Sequence, residues 1–237
     1  MIHRKLVAAV SILGCMCLCG WAHAAPSSPK VLCGAIARVN DNTRLNVIIG
    51  YLRHMLSGDK AWGRLYYQAP GCAQRNYGPV QFPGAKLTPP SKDATGIAAV
   101  RRLFLNAEGV TVTDGPDATP RITVGSVPNT ILRTEVGAIT LTPDEQFNPA
   151  LAIGALLSSR RVLDAARLHG YRFSPMLFDY LITPPTKGLP HLPRLIRDMS
   201  LDQSLDLVAK TFKGVVVYGT SSLPHLISVD FASIAEG

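Results

Sequence analysis

Several kinds of chemistry have no visible machinery in this chain. There is no G-x-S-x-G turn to expose a nucleophilic serine, and no P-loop or G-x-G-x-x-G stretch to cradle phosphates. Paired carboxylates for glycoside cleavage cannot be picked out: Asp144 and Glu145 follow Pro143 and read as the polar start of a turn. Asp114 precedes "GPDATP" and Asp117 lies within it, which is hairpin-loop chemistry and lacks the acid density of a calcium loop. Cysteine is scarce, five in 237 residues, and Cys15, Cys17 and Cys19 lie in the first 24. The remaining two, Cys33 and Cys72, have no C-x-x-C partner and no clustered histidines, so a tetrahedral zinc site is not expected. His54, His169, His191 and His225 stand alone along the chain. No metal and no cofactor is therefore expected. Charged residues are few at 17%, and the longest basic runs are the pairs Arg101-Arg102 and Arg160-Arg161. That excludes a polybasic tract, and no nucleic acid is expected as a partner.

An apolar run long enough for a membrane span of about 20 residues is missing as well. Residues 6–21 are apolar, Arg4 and Lys5 precede them, and Ala22-His23-Ala24 follows. This order of basic, apolar and small residues reads as an export signal cleaved after Ala24. The expected location is periplasmic or secreted, with no transmembrane segment left once the signal is removed. Lipid attachment at Cys15, in "ILGC", is the rival reading; Leu13 fits such a box poorly, and Cys15 lies inside the apolar run. Outside the cytoplasm an even pair of cysteines implies a disulfide, here Cys33–Cys72. It would close a loop of about 40 residues, worth roughly 3–4 kcal/mol in the chain-entropy model. The formal charge of +8 suits anionic surfaces or acidic partners, although its dispersal fits an ordinary solvated face.

What the chain does contain is alternating helix and strand patterns. Residues 25–90 read as a lead-in, a helix over 43–57 and a disulfide-linked loop region, with Leu45, Ile48, Ile49, Leu52 and Leu56 at helical spacing. Residues 61–84, rich in aromatics, glycine and proline, read as loop or short strands, and 87–96 as a linker. Residues 148–170 read as one helix capped by Asn148 and ended by Gly170, and 174–182 as a shorter one; 131–141 alternates loosely and suggests strands. A repeat links the two ends of this region. Shifted by 105 residues, Val100 meets Leu205, Leu103 meets Val208, Gly109 meets Gly214 and Ile122 meets Ile227. Both copies read helix, glycine turn, strand, short loop, strand, with the glycine in a left-handed conformation after the helix. The expected fold class is α+β: two small β-α-β-β-like units, 91–145 and 193–237, with intervening buried helices over 146–192.

The second unit runs as "RLIRDMSL", "DQSLDLVAKTF", Gly214, "VVVYG" and "LISVDF". It resembles the secretin and TonB short N-terminal domain, with Leu201, Leu205, Val208, Gly214 and Val216 at the matching positions. The resemblance covers about 40 residues and is fainter over 98–124. It implies a periplasmic protein-contact module and carries over no catalytic or ligand residue. This chain departs from the family's settings in lacking the alternating strands of an outer-membrane barrel, so a free-standing arrangement is expected.

Such a unit leaves a sheet edge to which a partner strand can add. The expected function is a non-enzymatic adaptor of a secretion or signalling assembly, binding another envelope protein, with Tyr218 and Phe231 as contact residues or core. The alternative is an exported hydrolase whose site gathers two or more of His54, His169, His191, Asp144 and Asp179. Homo-oligomerisation is a third reading. The aromatic run "WGRLYY" (62–67) is expected to pack around the disulfide, with a peptide or carbohydrate surface as the sharper option.

Overall fold

The computed structural model describes residues 45–68, 85–88, 91, 94–107, 109–125, 127, 129–174, 188–220 and 225–234. In chain order these form α1 (Leu45–Met55), β1 (Gly63–Gln68), β2 (Ala85–Lys86), α2 (Gly96–Leu103), β3 (Asn106–Ala107), β4 (Val110–Asp114) and β5 (Pro120–Val124). Then follow α3 (Asn129–Leu132), β6 (Ile139–Thr140), α4 (Pro143–Phe147), α5 (Pro149–Leu157), α6 (Arg160–Leu168) and β7 (Arg172–Phe173). The last described elements are β8 (Leu195–Ile196), α7 (Leu201–Thr211), β9 (Gly214–Thr220) and β10 (Leu226–Ser233). The class is α+β, as expected. The Cys33–Cys72 pair, residues 1–24, Asp179 and nearly all of the helix expected over 174–182 lie outside the described residues.

Six strands make one mixed sheet in the order β4-β5-β1-β9-β10-β7. Strand β1 is parallel to β5 on one side and to β9 on the other. The β4–β5 and β9–β10 pairs are antiparallel hairpins. Both hairpins therefore belong to a single sheet, joined through β1. Strand β1 lies in the stretch read as loop or short strands, and its place in the interior of the sheet is what that reading does not anticipate. Strands covered on both faces usually read as near-continuous apolar runs. Residues 215–218 of β9 do so; in β1, Gly63 and Arg64 interrupt the pattern.

Alternation along the strands divides the core into two. Trp62, Tyr66, Val216 and Tyr218 pack on one face against α5, α6 and α7, through residues such as Leu156, Val162, Leu205 and Val208. Leu65, Ile122, Val215 and Val217 pack on the other face against α1 and α2, through Ile48, Leu52, Val100 and Leu103. Each such side chain contributes roughly 1.5–3 kcal/mol when fully buried. The helix preceding each hairpin thus covers a different face of the shared sheet.

Helix α1 lies within the expected range. The helix expected over 148–170 is two helices. Asn148 caps α5, its side-chain oxygen accepting from the N–H groups of Ala150 and Leu151. At Ser159 the backbone turns extended, and its hydroxyl accepts from the Val162 N–H to start α6. Serine competes with helical hydrogen bonds in this way, and the break lets α5 and α6 bury different faces. Ser200 and Gln203 form a reciprocal capping box at the start of α7. Residues 131–141 contribute α3 and β6, not a run of strands. Strand β8, expected to lead into the second unit, pairs with β6 and stays out of the main sheet.

The two repeat glycines serve different ends. Gly109 has φ +72 with open space around its Cβ position, so its backbone conformation requires it. At the second turn Lys213 takes the left-handed conformation, φ 49. A Cβ on Gly214 would fall 2.7 Å from the Ala232 carbonyl oxygen and onto the Phe231 ring. Close approach, not left-handed φ, requires that glycine, which corrects the matched-turn reading. Among the described residues no helix is long and apolar enough to cross a membrane.

Candidate functional site

Arg64 sits in the central strand with its side chain fully enclosed. A buried guanidinium needs paired charge and hydrogen bonds, since an isolated ion in the interior is costly. Helix α7 supplies both through Asp202 and Asp206, one turn apart on the face it lays on the sheet. Arg64 Nη1 donates to the Asp202 carbonyl oxygen at 2.8 Å and to Asp206 Oδ1 at 3.0 Å. Arg121, beside Arg64 in the parallel register, donates from Nη1 to Asp202 Oδ2 at 2.7 Å and from Nη2 to Asp206 Oδ2. The Tyr66 hydroxyl donates to Asp202 Oδ1 at 2.8 Å and accepts from Arg121 at 2.5 Å. The Arg64 guanidinium lies 4.9 Å from the Tyr66 ring centroid. Two cations face two anions, so the cluster is balanced.

Burial raises the Asp202 carboxyl, but the charge of Arg64 and the hydrogen bonds from Arg121 and Tyr66 outweigh it and hold its pKa below the usual value. At Asp206 burial prevails over the pull of the same arginines, and the pKa is raised. Burial likewise drives the Tyr66 phenol well above its usual value. With its carboxylates committed to arginines, the cluster anchors α7 on β1 and β5. Arg64 Nε and Nη2, Trp62 Nε1 and the Tyr218 hydroxyl are buried without a partner among the described residues.

One side of the cluster opens on a groove of about 450 Å³. Thr113 of β4, Arg121 and Thr123 of β5, Asn129 of α3, Leu132 and Arg133 line it. Arg121 is committed to the two aspartates, whereas Arg133 is exposed and makes no ion pair among the described residues. The groove runs out to β4, the outermost strand. Gly125 N–H donates to Gly109 and Gly115 N–H to Thr119, which fixes odd-numbered residues as the ones bonded to β5. Val110, Val112 and Asp114 therefore turn their N–H and C=O groups outward. Among the described residues no strand pairs with that side.

The expected site residues fall elsewhere. His54 is exposed on α1, His169 is exposed at the C-cap of α6, and Asp144 is exposed in the first turn of α4. His191 is exposed, with its ring centroid 5.3 Å from that of Phe147. None of the four lines the groove. Tyr218 is fully buried, so it has no surface for a contact; Phe231 is half-buried, its ring edge-on to Phe212 at 6.2 Å. Trp62 is buried in the core on the α7 side of the sheet, and Tyr66, buried there too, lines the groove beside the ion cluster. Sequence reasoning does not reach the ion cluster, although two signals are present: an arginine amid aromatics, and two aspartates four apart in an amphipathic helix. Among the described residues no group of three potential metal ligands comes together. No protein-family model matches the chain, and no curated protein or solved structure is detectably similar to it.

Proposed function

We propose that this protein is a non-enzymatic adaptor of the bacterial envelope that binds another protein by accepting its strand along β4. The outward-turned backbone of Val110, Val112 and Asp114 carries the reading, because strand addition draws affinity from main-chain hydrogen bonds. The export-like pattern of residues 1–24 and the resemblance of residues 194–231 to the secretin and TonB short N-terminal domain support an envelope setting.

Val112→Pro tests the edge. The Val112 N–H points away from β5, so proline there blocks an incoming strand and leaves the β4–β5 ladder intact. The tagged protein and the variant are used for capture from envelope extract, with circular dichroism as the check on folding. The expected result is a partner retained by the parent chain and lost from a folded Val112→Pro, with the Val110, Val112 and Asp114 amides protected from exchange in the complex. Equal retention by both proteins would remove β4 as the contact.

A further inference from the structure

We infer that the groove beside β4 receives a glutamate side chain from the strand that adds there, so that the preferred partner segment is extended and acidic. The inference rests on the edge reading above and specifies its chemistry. A strand added to β4 would lie about 4.8 Å beyond it. Every second side chain would then stand on the face where Thr111 and Thr113 project, the face on which Thr113 lines the groove. Two features of the lining suit a carboxylate on a short apolar stem. Leu132 and Val127 supply apolar wall for the stem. Arg133, Asn129 and Thr123 supply donors for the head.

Charge selects the sign of the ligand. Arg121 and Asp202 face the groove but neutralise each other within the cluster. Arg133 is the one cation of the lining left without an ion pair among the described residues, so the groove presents a net positive charge. A guanidinium also matches a carboxylate in bidentate geometry. A lysine on the incoming strand would meet Arg133 as a like charge, and a glutamine would lose the charge-assisted bond. The positive balance of the whole chain, +8, favours approach of an acidic segment at long range.

The test uses the full chain and three synthetic peptides of about seven residues, a strand's length. All alternate Val and Thr and differ at the central position, which is Glu, Gln or Lys. Binding is followed by calorimetry, and the site by amide exchange in β4. The expected result is protection of the Val110, Val112 and Asp114 amides, with the Glu peptide bound about tenfold more tightly than the Gln peptide, the scale of one charge-assisted hydrogen bond. Arg133→Gln should abolish that difference while the protection of β4 remains. Arg133→Glu should transfer the preference to the Lys peptide. If all three peptides protect β4 alike and Arg133→Gln changes nothing, the acidic preference is wrong and the edge reading stands. If no peptide protects β4, both fall. Tight binding of the Glu peptide without protection of β4 would overturn the inference by placing the carboxylate elsewhere.

Discussion

Arg64 illustrates how a single side chain can commit two layers of structure to each other. Its guanidinium lies between strand and helix, held by Asp206 and by the backbone of Asp202. Truncating it would leave two partly buried carboxylates sharing Arg121 alone. Breaking a buried pair in this way usually costs about 3–5 kcal/mol, whereas replacing both partners with apolar residues is often neutral or better. Arg64→Ala is therefore expected to lower unfolding stability by about 3–5 kcal/mol. The double variant Arg64→Met with Asp206→Leu should regain most of that, because it removes one charge of each sign and leaves Arg121 paired with Asp202. Urea unfolding of both variants measures this. An Arg64→Ala loss under about 1 kcal/mol, the range of an exposed pair, would mean the cluster is far better solvated than its geometry indicates.

At the scale of elements, the two helix–hairpin segments look alike and are built differently, which makes their glycines separable by experiment. Gly214→Ala must push the Phe231 ring and meet the Ala232 carbonyl, an overpacking expected to cost about 1–3 kcal/mol. Adding Phe231→Leu relieves the ring and leaves the carbonyl contact, so rescue should be partial. Gly109→Ala costs about 1–2 kcal/mol through its left-handed backbone, and Phe231→Leu should do nothing for it. Thermal unfolding of the four variants decides; equal rescue at both positions would deny the difference. Sequence patterns disclosed the amphipathic α1 and α7, both hairpins and the Asn148 cap, because these depend on local spacing. They did not disclose that β1 is a central strand, since both neighbouring strands and the helices over one of its faces, α5 to α7, come from distant parts of the chain and its one charge is neutralised from α7. They also could not show that β8 pairs with β6, or that two serines end one helix and begin another. Of the candidate site, only the idea of an open edge was legible; the groove and its Arg133 arise from the meeting of β4, β5 and α3.

For the whole molecule, the position of β1 decides whether the hairpins act separately or together. It bonds to β5 of one hairpin and β9 of the other, so neither hairpin can leave with its preceding helix without exposing an edge of β1 and part of one of its faces. The layers are tied again where Arg53 of α1 donates to the Ser233 carbonyl at the end of β10, at 3.1 and 3.0 Å. One cooperative unit is expected despite the two-fold repetition in the sequence. The slowest amides of Leu52 and Val100 on one face, and of Val208 on the other, should then exchange with the same opening free energy. With Trp21 changed to Phe, unfolding followed through Trp62 fluorescence should give that same value. A difference of more than about 1.4 kcal/mol between the faces, tenfold in population, would instead mean that the layers open independently. Cooperativity also bears on recognition. A rigid sheet holds the outward groups of β4 in strand geometry before a partner arrives, so little ordering cost remains to be met on binding. If the faces opened independently, the edge would be only intermittently formed, and the affinity for an added strand would fall by the fraction of time it is absent.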